Sequence, residues 1–217
     1  MDALPCLPRR SQIAFPAMRE ILSGVLHWTA FHERIRSDVS SYFVEGSRTL
    51  IDPMTPPEGI GGLLERGPER IVLSCRHHYR QSDQFVRELG ISVHCNEAGL
   101  HEFEGGPAVQ GFRPGDALAA DVVAVEVDAL SPDETALLID TGAGAVVIAD
   151  GLVHWGQGDV GFVPDRYMGD EPEGVKRGLR AAFKRLLAEH TFDSLLFAHG
   201  DPIVGGGREA LAGFLRQ

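Results

Sequence analysis

The chain has 217 residues, of which 43% are hydrophobic, and its formal net charge is −11. That length and apolar content suffice for one globular domain with a sizeable core. The negative charge disfavours non-specific binding to nucleic acid or to an anionic membrane surface, because both would repel it. No apolar run approaches the roughly 20 residues that a membrane-spanning helix needs. Three scattered cysteines, Cys6, Cys75 and Cys95, favour a reducing cytoplasm over a disulfide framework.

The first half of the chain predicts strands interrupted by two short helices. Residues 1–19 hold only a short, proline-interrupted apolar segment, so we predict a disordered lead or a mis-assigned start there and a single domain over 20–217. Strands are predicted at 20–29, 39–45, 48–51, 70–73 and 91–94, and helices at 57–66 and 82–89. Gly46-Ser47 is typical of a tight hairpin turn. The segment 96–121 is rich in glycine, proline and charge, which predicts loops and short pieces.

The second half returns to a β-rich pattern and ends in alternating helix and strand. Residues 122–127 are almost wholly apolar, as in a strand covered on both faces. Residues 135–139 and 145–148 flank a glycine-rich turn and predict an antiparallel pair. Apolar residues at helical spacing from Val175 to Leu187 predict an amphipathic helix that ends near His190. A strand at 194–198 and a short helix after Gly205 close the chain. This order suits two packed sheets with helices outside.

Three segments place metal-ligating residue types at the ends of apolar strands. Residues 71–81, IVLSCRHHYRQ, read as a buried strand that runs into a polar loop with two histidines and then into a helix. Asp150 follows the apolar run VVIA, and His199 follows SLLFA. Histidine and carboxylate side chains are the usual ligands of a catalytic zinc ion. Two alternatives to metal binding stay open: the loop histidines could be solvated or could cap the helix, and Asp150 could be a turn residue before Gly151.

The 71–81 segment resembles the first metal-binding loop of the metallo-β-lactamase superfamily, strand-T-H-x-H-x-D-H-helix, with most of its ligands replaced. Aligned with that pattern, the family's Thr, first His, second His, Asp and last His correspond to Ser74, Cys75, His77, Tyr79 and Arg80. Further segments in the same order resemble the rest of the superfamily, which implies an α+β fold, a four-layer αβ/βα sandwich. They are the hairpin that ends in Asp52, a third-motif region with Ser131 in the place of a His, the strand that ends in Asp150, and the strand that ends in His199.

Carried over residue by residue, the resemblance implies a reduced ligand set. His77 would serve the first metal, His199 the second, and Asp150 both. Cys75 or His78 could assist, so the expected cofactor is one divalent metal (zinc, manganese or iron) or none. The guanidinium of Arg80 would lie where the second metal normally sits, where it would repel a divalent ion and pair with Asp150.

Two functions follow from this reading. The first is a hydrolase with a mono-metal or metal-free site that acts on an unknown ester, thioester or amide. Asp150 would bind the metal or act as a base, and Tyr79 or Arg80 would stabilise the developing oxyanion. The second is a catalytically inactive binding protein in which an Arg80–Asp150 pair replaces the metal centre. Arg76 and Arg80 would then line a cleft for an anionic small molecule.

Two expectations concern residues outside this ligand set. Asp133 and Glu134 are predicted to lie in a solvated loop, although either could offer a carboxylate beside the site. A partner copy is also conceivable, and we predict that a homodimer would use an exposed apolar patch. That patch would consist of Phe162, Val163, Tyr167 and Met168.

Overall fold

The computed structural model describes residues 17–156 and 158–217. Residues 1–16 of the predicted lead lie outside the described residues, so the prediction of a lead over 1–19 stays a prediction. The described chain folds into two large β-sheets with helices on their outer faces. No described helix is long and apolar enough to span a bilayer.

The first sheet has seven strands that follow one another in chain order. Each of its first four strands pairs antiparallel with the next one, and each of its last four pairs parallel with the next one. The fourth strand belongs to both sets. The strands are β1 (Arg19–Leu22), β2 (Val25–His32), β3 (Ser37–Val44), β4 (Thr49–Ile51), β5 (Arg70–Val72), β6 (Ser92–Asn96) and β7 (Val109–Phe112). Two helices pack on its outer face, α1 (Gly61–Arg66) and α2 (Ser82–Leu89).

The second sheet has five strands. They are β8 (Ala117–Ala119), β9 (Val122–Glu126), β10 (Thr135–Ile139), β11 (Ala145–Ile148) and β14 (Ser194–Phe197). Their spatial order is β14-β11-β10-β9-β8, and the β11–β14 pair is parallel. A separate short pair, β12 (Leu152–Val153) and β13 (Gly161–Phe162), follows β11 in the chain. The outer face carries α3 (Pro172–Glu189) and α4 (Gly207–Phe214).

Three apolar clusters separate these four layers. One lies between the sheets and includes Tyr42, Ile51 and Leu137. A second joins the first sheet to α1 and α2, and a third joins the second sheet to α3, whose buried residues include Leu179 and Phe183. Burial of such side chains on both faces of each sheet is the main stabilising contribution. The predicted four-layer αβ/βα sandwich is confirmed.

Three sequence predictions differ from the structure. Residues 20–29 are not one strand, because the chain turns at Gly24, whose φ of 72° is left-handed, and β1 and β2 form a hairpin. The segment 96–121 holds a 3-10 helix (Glu97–Phe103) and two strands, β7 and β8, since pairing with neighbouring strands overrides its loop-like composition. The proposed apolar patch is not exposed as a whole, because Val163 and Met168 are buried.

Candidate metal centre

Parallel strand pairing brings the chemically interesting residues to one edge of the sandwich. β4 and β5 run parallel, so Asp52 and Cys75, which follow them, lie at the same end of the first sheet. β11 and β14 also run parallel, so Asp150 and His199 lie together at one end of the second sheet. Thr135 donates its main-chain N–H to the Ser74 carbonyl at 2.9 Å, which joins the two sheets at this edge.

His78 lies between two carboxylates. Its Nδ1 is 2.8 Å from Oδ2 of Asp52, and its Nε2 is 3.1 Å from Oδ1 of Asp150. Asp52 is held in turn by Ser74, whose main-chain N–H donates to Oδ1 at 2.8 Å and whose hydroxyl donates to Oδ2. The His78 side chain is only 5% exposed, so its ring orientation is fixed by these contacts.

Asp150 collects three side chains around it. Besides His78, it contacts Nε2 of His199, which is 3.0 Å from its Oδ1, and the Cys75 thiol, whose Sγ is 3.7 Å from Oδ2. One ligand atom each of Cys75, His78 and Asp150 lies within 4.8 Å of the others. The side chains of Asp150 and His199 are 27% and 15% exposed, so solvent reaches the cluster from their side.

Charge couples the members of this cluster. Burial alone would raise the pKa of Asp150, but His78 and His199 hold it well below its usual range. Burial likewise opposes the charged form of His78, yet Cys75, Asp150 and Asp52 raise its pKa well above its usual range. Burial is also the main reason why the pKa of the Cys75 thiol is raised to about 12. These shifts favour the thiol form of Cys75 and the imidazolium form of His78.

Arg80 borders the cluster but does not pair with Asp150. Its Nη1 donates to the carbonyl oxygens of Ser40 at 2.6 Å and Asp52 at 2.8 Å, and its Nη2 is buried with no partner among the described residues. Burial lowers its pKa, and Asp52 and Asp150 oppose this shift. The predicted Arg80–Asp150 ion pair is thus not formed among the described residues. The Asp150 carboxylate contacts His78 and His199 instead.

Comparison with known proteins identifies the architecture. No protein-family model and no curated sequence matches the chain. Among solved structures, the class B3 di-zinc metallo-β-lactamase LRA-12 from an Alaskan soil metagenome has a TM-score of 0.64 at 9% identity, over 98% of this chain and 95% of its own. A HARLDQ-motif mutant of the metallo-β-lactamase from Cronobacter sakazakii has a TM-score of 0.65 at 15% identity, over 93% and 94%. The chain has the metallo-β-lactamase fold.

The same fold occurs in proteins of other chemistry, so the likeness establishes architecture and not activity. A flavo di-iron protein from Thermotoga maritima matches with a TM-score of 0.60 at 16% identity, over 93% of this chain and 61% of its own. What the metallo-β-lactamase fold supports here has to be read from the side chains at the sheet ends.

His78, and not the predicted ligand His77, faces the cluster. Residues Arg76–Tyr79 form a 3-10 helix, and the His78 N–H donates to the Cys75 carbonyl at 3.0 Å. In this tight turn His78 is buried beside Cys75, whereas His77 is exposed. The family pattern selects His77, whereas the structure turns His78 toward the cluster.

Two further residues of the family pattern make their contacts outside the cluster. Tyr79, predicted as an oxyanion donor, packs on Phe103 with ring centroids 5.7 Å apart. Ser131 donates its hydroxyl to Asp133 at 2.8 Å.

The expectation of a solvated loop at Asp133 and Glu134 is wrong, because both carboxyls are buried. Asp133 forms an ion pair with Arg76 and accepts the Arg76 N–H at 2.6 Å. Glu134 accepts the Gly151 N–H at 2.6 Å, next to Asp150. Burial, and next the charge of Asp150, raise the pKa of Glu134 to about 8. The sequence holds no local signal for this, since the segment SPDET has no large apolar residue that would predict burial.

The donor set fits a metal ion. A thiol, an imidazole nitrogen and a carboxylate oxygen lie within reach of one another, and His199 contacts the same carboxylate. Asp52 holds the far nitrogen of His78, which is the usual way in which proteins orient a metal-binding imidazole. Three ligands of this type plus water suit a catalytic zinc or a comparable ion, and thiolate plus imidazole favours zinc or iron over manganese.

Proposed function

We propose that the protein is a hydrolase with a single divalent metal held by Cys75, His78, Asp150 and His199. The proposal depends on one observation, the convergence of the first three ligand atoms within 4.8 Å while Asp52 orients the His78 ring. The metallo-β-lactamase fold supports the same reading at the level of the scaffold. Compared with the ligands that the sequence predicts, His78 replaces His77, and Cys75 becomes a full member.

A single ion fits better than two. Arg80 places a permanent positive charge close to Asp150, and this charge disfavours a second divalent ion there. Tyr79 packs on Phe103 and His77 is exposed, so neither adds a ligand beside the cluster.

When bound, an ion of this kind supplies Lewis-acid chemistry for attack on a carbonyl group. The chain's own groups would bind and orient the substrate. Asp150 and His199 are the partly exposed members, so a substrate carbonyl enters from their side. The Arg80 charge favours negative charge that develops on the carbonyl oxygen. An ester, a thioester or an amide would suit this arrangement.

The test compares hydrolysis of small ester, thioester and amide substrates by the zinc-loaded protein and by Asp150→Asn. The substitution keeps the size of the side chain but removes its negative charge, so metal retention and turnover should fall together. Turnover by the zinc-free protein, or unchanged turnover in Asp150→Asn, would contradict the proposed mechanism. A control variant, exposed Asp83→Asn, should retain full activity.

The second candidate is a binding protein that works without metal. It is favoured by the way in which His78 bridges Asp52 and Asp150, because this network satisfies the buried charges by itself. The ligand would be a small anion beside Arg76 and Arg80. This candidate expects thermal stabilisation by small carboxylates or phosphate and no response to chelators.

A reducing compartment suits both candidates. Cys75 and Cys95 are buried free thiols, and oxidation of Cys75 would remove a ligand from the cluster. We therefore place the protein in the cytoplasm, where thiols stay reduced. A small molecule remains the proposed partner, and the net charge of −11 speaks against nucleic acid.

A further inference from the structure

Ser40, in the middle of β3, connects the first sheet to the segment after β14 that carries His199. Its N–H donates to the Ala198 carbonyl at 2.9 Å, and its hydroxyl donates to the Gly200 carbonyl at 3.1 Å. These carbonyls belong to the residues immediately before and after His199. Ser40 is 1% exposed, and Nε2 of His27 lies 3.0 Å from its hydroxyl, so its orientation is fixed. The backbone of His199 is therefore held from both sides by one residue.

Arg80 connects this residue to the other half of the cluster. Its Nη1 donates at once to the Ser40 carbonyl and to the Asp52 carbonyl. The Asp52 side chain in turn holds His78. A continuous set of hydrogen bonds thus runs from His78 through Asp52, Arg80 and Ser40 to the chain on either side of His199.

The backbone of Arg80 supports a structural role for its side chain. Its φ of 46° lies in the left-handed region, which residues other than glycine rarely adopt. Such a conformation persists where the surrounding contacts over-determine it. Here the guanidinium lies against the two carbonyl groups of Ser40 and Asp52.

We propose that Arg80 and Ser40 form a brace that fixes the distance between His78 and His199, so that Arg80 is a positioning residue for the metal ligands. The proposal rests on the proposed metal site. In this role Arg80 strengthens metal binding, whereas its positive charge alone would weaken it. A cation that only repels the metal would weaken binding, and its removal would tighten binding. A brace strengthens binding, and its removal would weaken binding.

The sign of the change in metal affinity decides between these roles. Cobalt(II) is titrated into the wild-type protein and into Arg80→Met, which removes the charge and the Nη1 donor of both hydrogen bonds but keeps an unbranched apolar stem. We expect at least tenfold weaker binding and an altered visible absorption spectrum, because the ligands change their relative positions. Arg80→Lys, which ends one bond shorter but keeps the charge and a donor, should recover part of both. Exposed Arg87→Met serves as the control and should match the wild type. Equal or tighter binding by Arg80→Met would overturn the brace.

A second variant and a metal-free measurement keep the proposal testable if Arg80→Met folds poorly. Ser40→Ala removes only the hydroxyl contacts and leaves the main-chain bonds to Ala198 and Arg80 in place. In nitrogen-15 NMR spectra of the metal-free protein, it should shift the His199 ring signals and leave those of His78 largely unchanged. Unchanged His199 signals would overturn the brace. Failure of the wild-type protein to bind cobalt would instead refute the proposed metal site, and the NMR result would still stand on its own.

Discussion

Glu134 makes the stability of the fold depend on pH in a way that one substitution should remove. Its carboxyl group is 1% exposed and accepts the Gly151 N–H, and its pKa is raised from 4.5 to about 8. A group whose pKa is higher in the folded than in the unfolded state contributes its full stability below the unfolded value. That contribution is lost as the pH rises through the folded value. Because of Glu134, the stability of the fold should therefore fall progressively as the pH rises from about 4.5 to about 8.

The size of the effect follows from the two pKa values. Each unit of difference corresponds to about 1.4 kcal/mol. Between pH 5 and pH 8 the unfolded chain releases the Glu134 proton, while the folded chain retains much of it. Relative to a variant that does not titrate, the wild-type protein should lose roughly 3–4 kcal/mol over this interval. Glu134→Gln is such a variant, since the amide oxygen can still accept the Gly151 N–H.

The assay is urea unfolding of chelator-treated protein at several pH values from 5 to 8. Other titrating groups cancel in the difference between wild type and Glu134→Gln, and any constant packing cost of the amide does not affect the slope. Exposed Glu102→Gln should follow the wild type at every pH. If the difference between wild type and Glu134→Gln does not change with pH, Glu134 does not hold its proton in the folded state and this reasoning fails.

Two further predictions concern the loop that carries the cluster. Metal uptake should release protons from the Cys75 thiol and the His78 imidazolium, so affinity should rise with pH, and calorimetry in buffers of different ionisation enthalpy should detect the release. A binding enthalpy that does not depend on the buffer would refute this. Arg76→Met should destabilise the fold by about 3–5 kcal/mol in thermal or urea unfolding, because Asp133 is left buried without its charge partner. The exposed pair of Arg113 and Glu97 provides the control, and Arg113→Met should lower the free energy of unfolding by at most about 1 kcal/mol. Equal losses of stability in both variants would contradict the importance of burial.

The fold was predictable because its strands carry strong apolar patterns. Continuous apolar runs identified β9, β10, β11 and β14. The family resemblance singled out Asp150 and His199, which lie two residues beyond β11 and β14. The resemblance in motif order then selected one sandwich among several folds with this content. Periodicity alone gives element type but not the pairing of strands.

The details of the cluster were not predictable from spacing, because they depend on local turns and on burial. In the 3-10 turn His78 faces the cluster and His77 does not, and adjacent histidines give no sequence signal that decides between them. Glu134 looks like a loop residue, but in the fold its carboxyl group is buried beside Gly151. The contacts of Arg80 with two main-chain carbonyls likewise depend on chain segments that are far apart in sequence.

The most direct test of the metal site is the zinc content of three proteins after zinc loading and dialysis, measured by mass spectrometry. The wild-type protein and His77→Ala should each retain about one equivalent, because His77 is exposed and contributes no ligand. His78→Ala should retain almost none. Zinc that stays bound in His78→Ala but is lost in His77→Ala, or no zinc in any of the three, would contradict a centre built on Cys75, His78, Asp150 and His199.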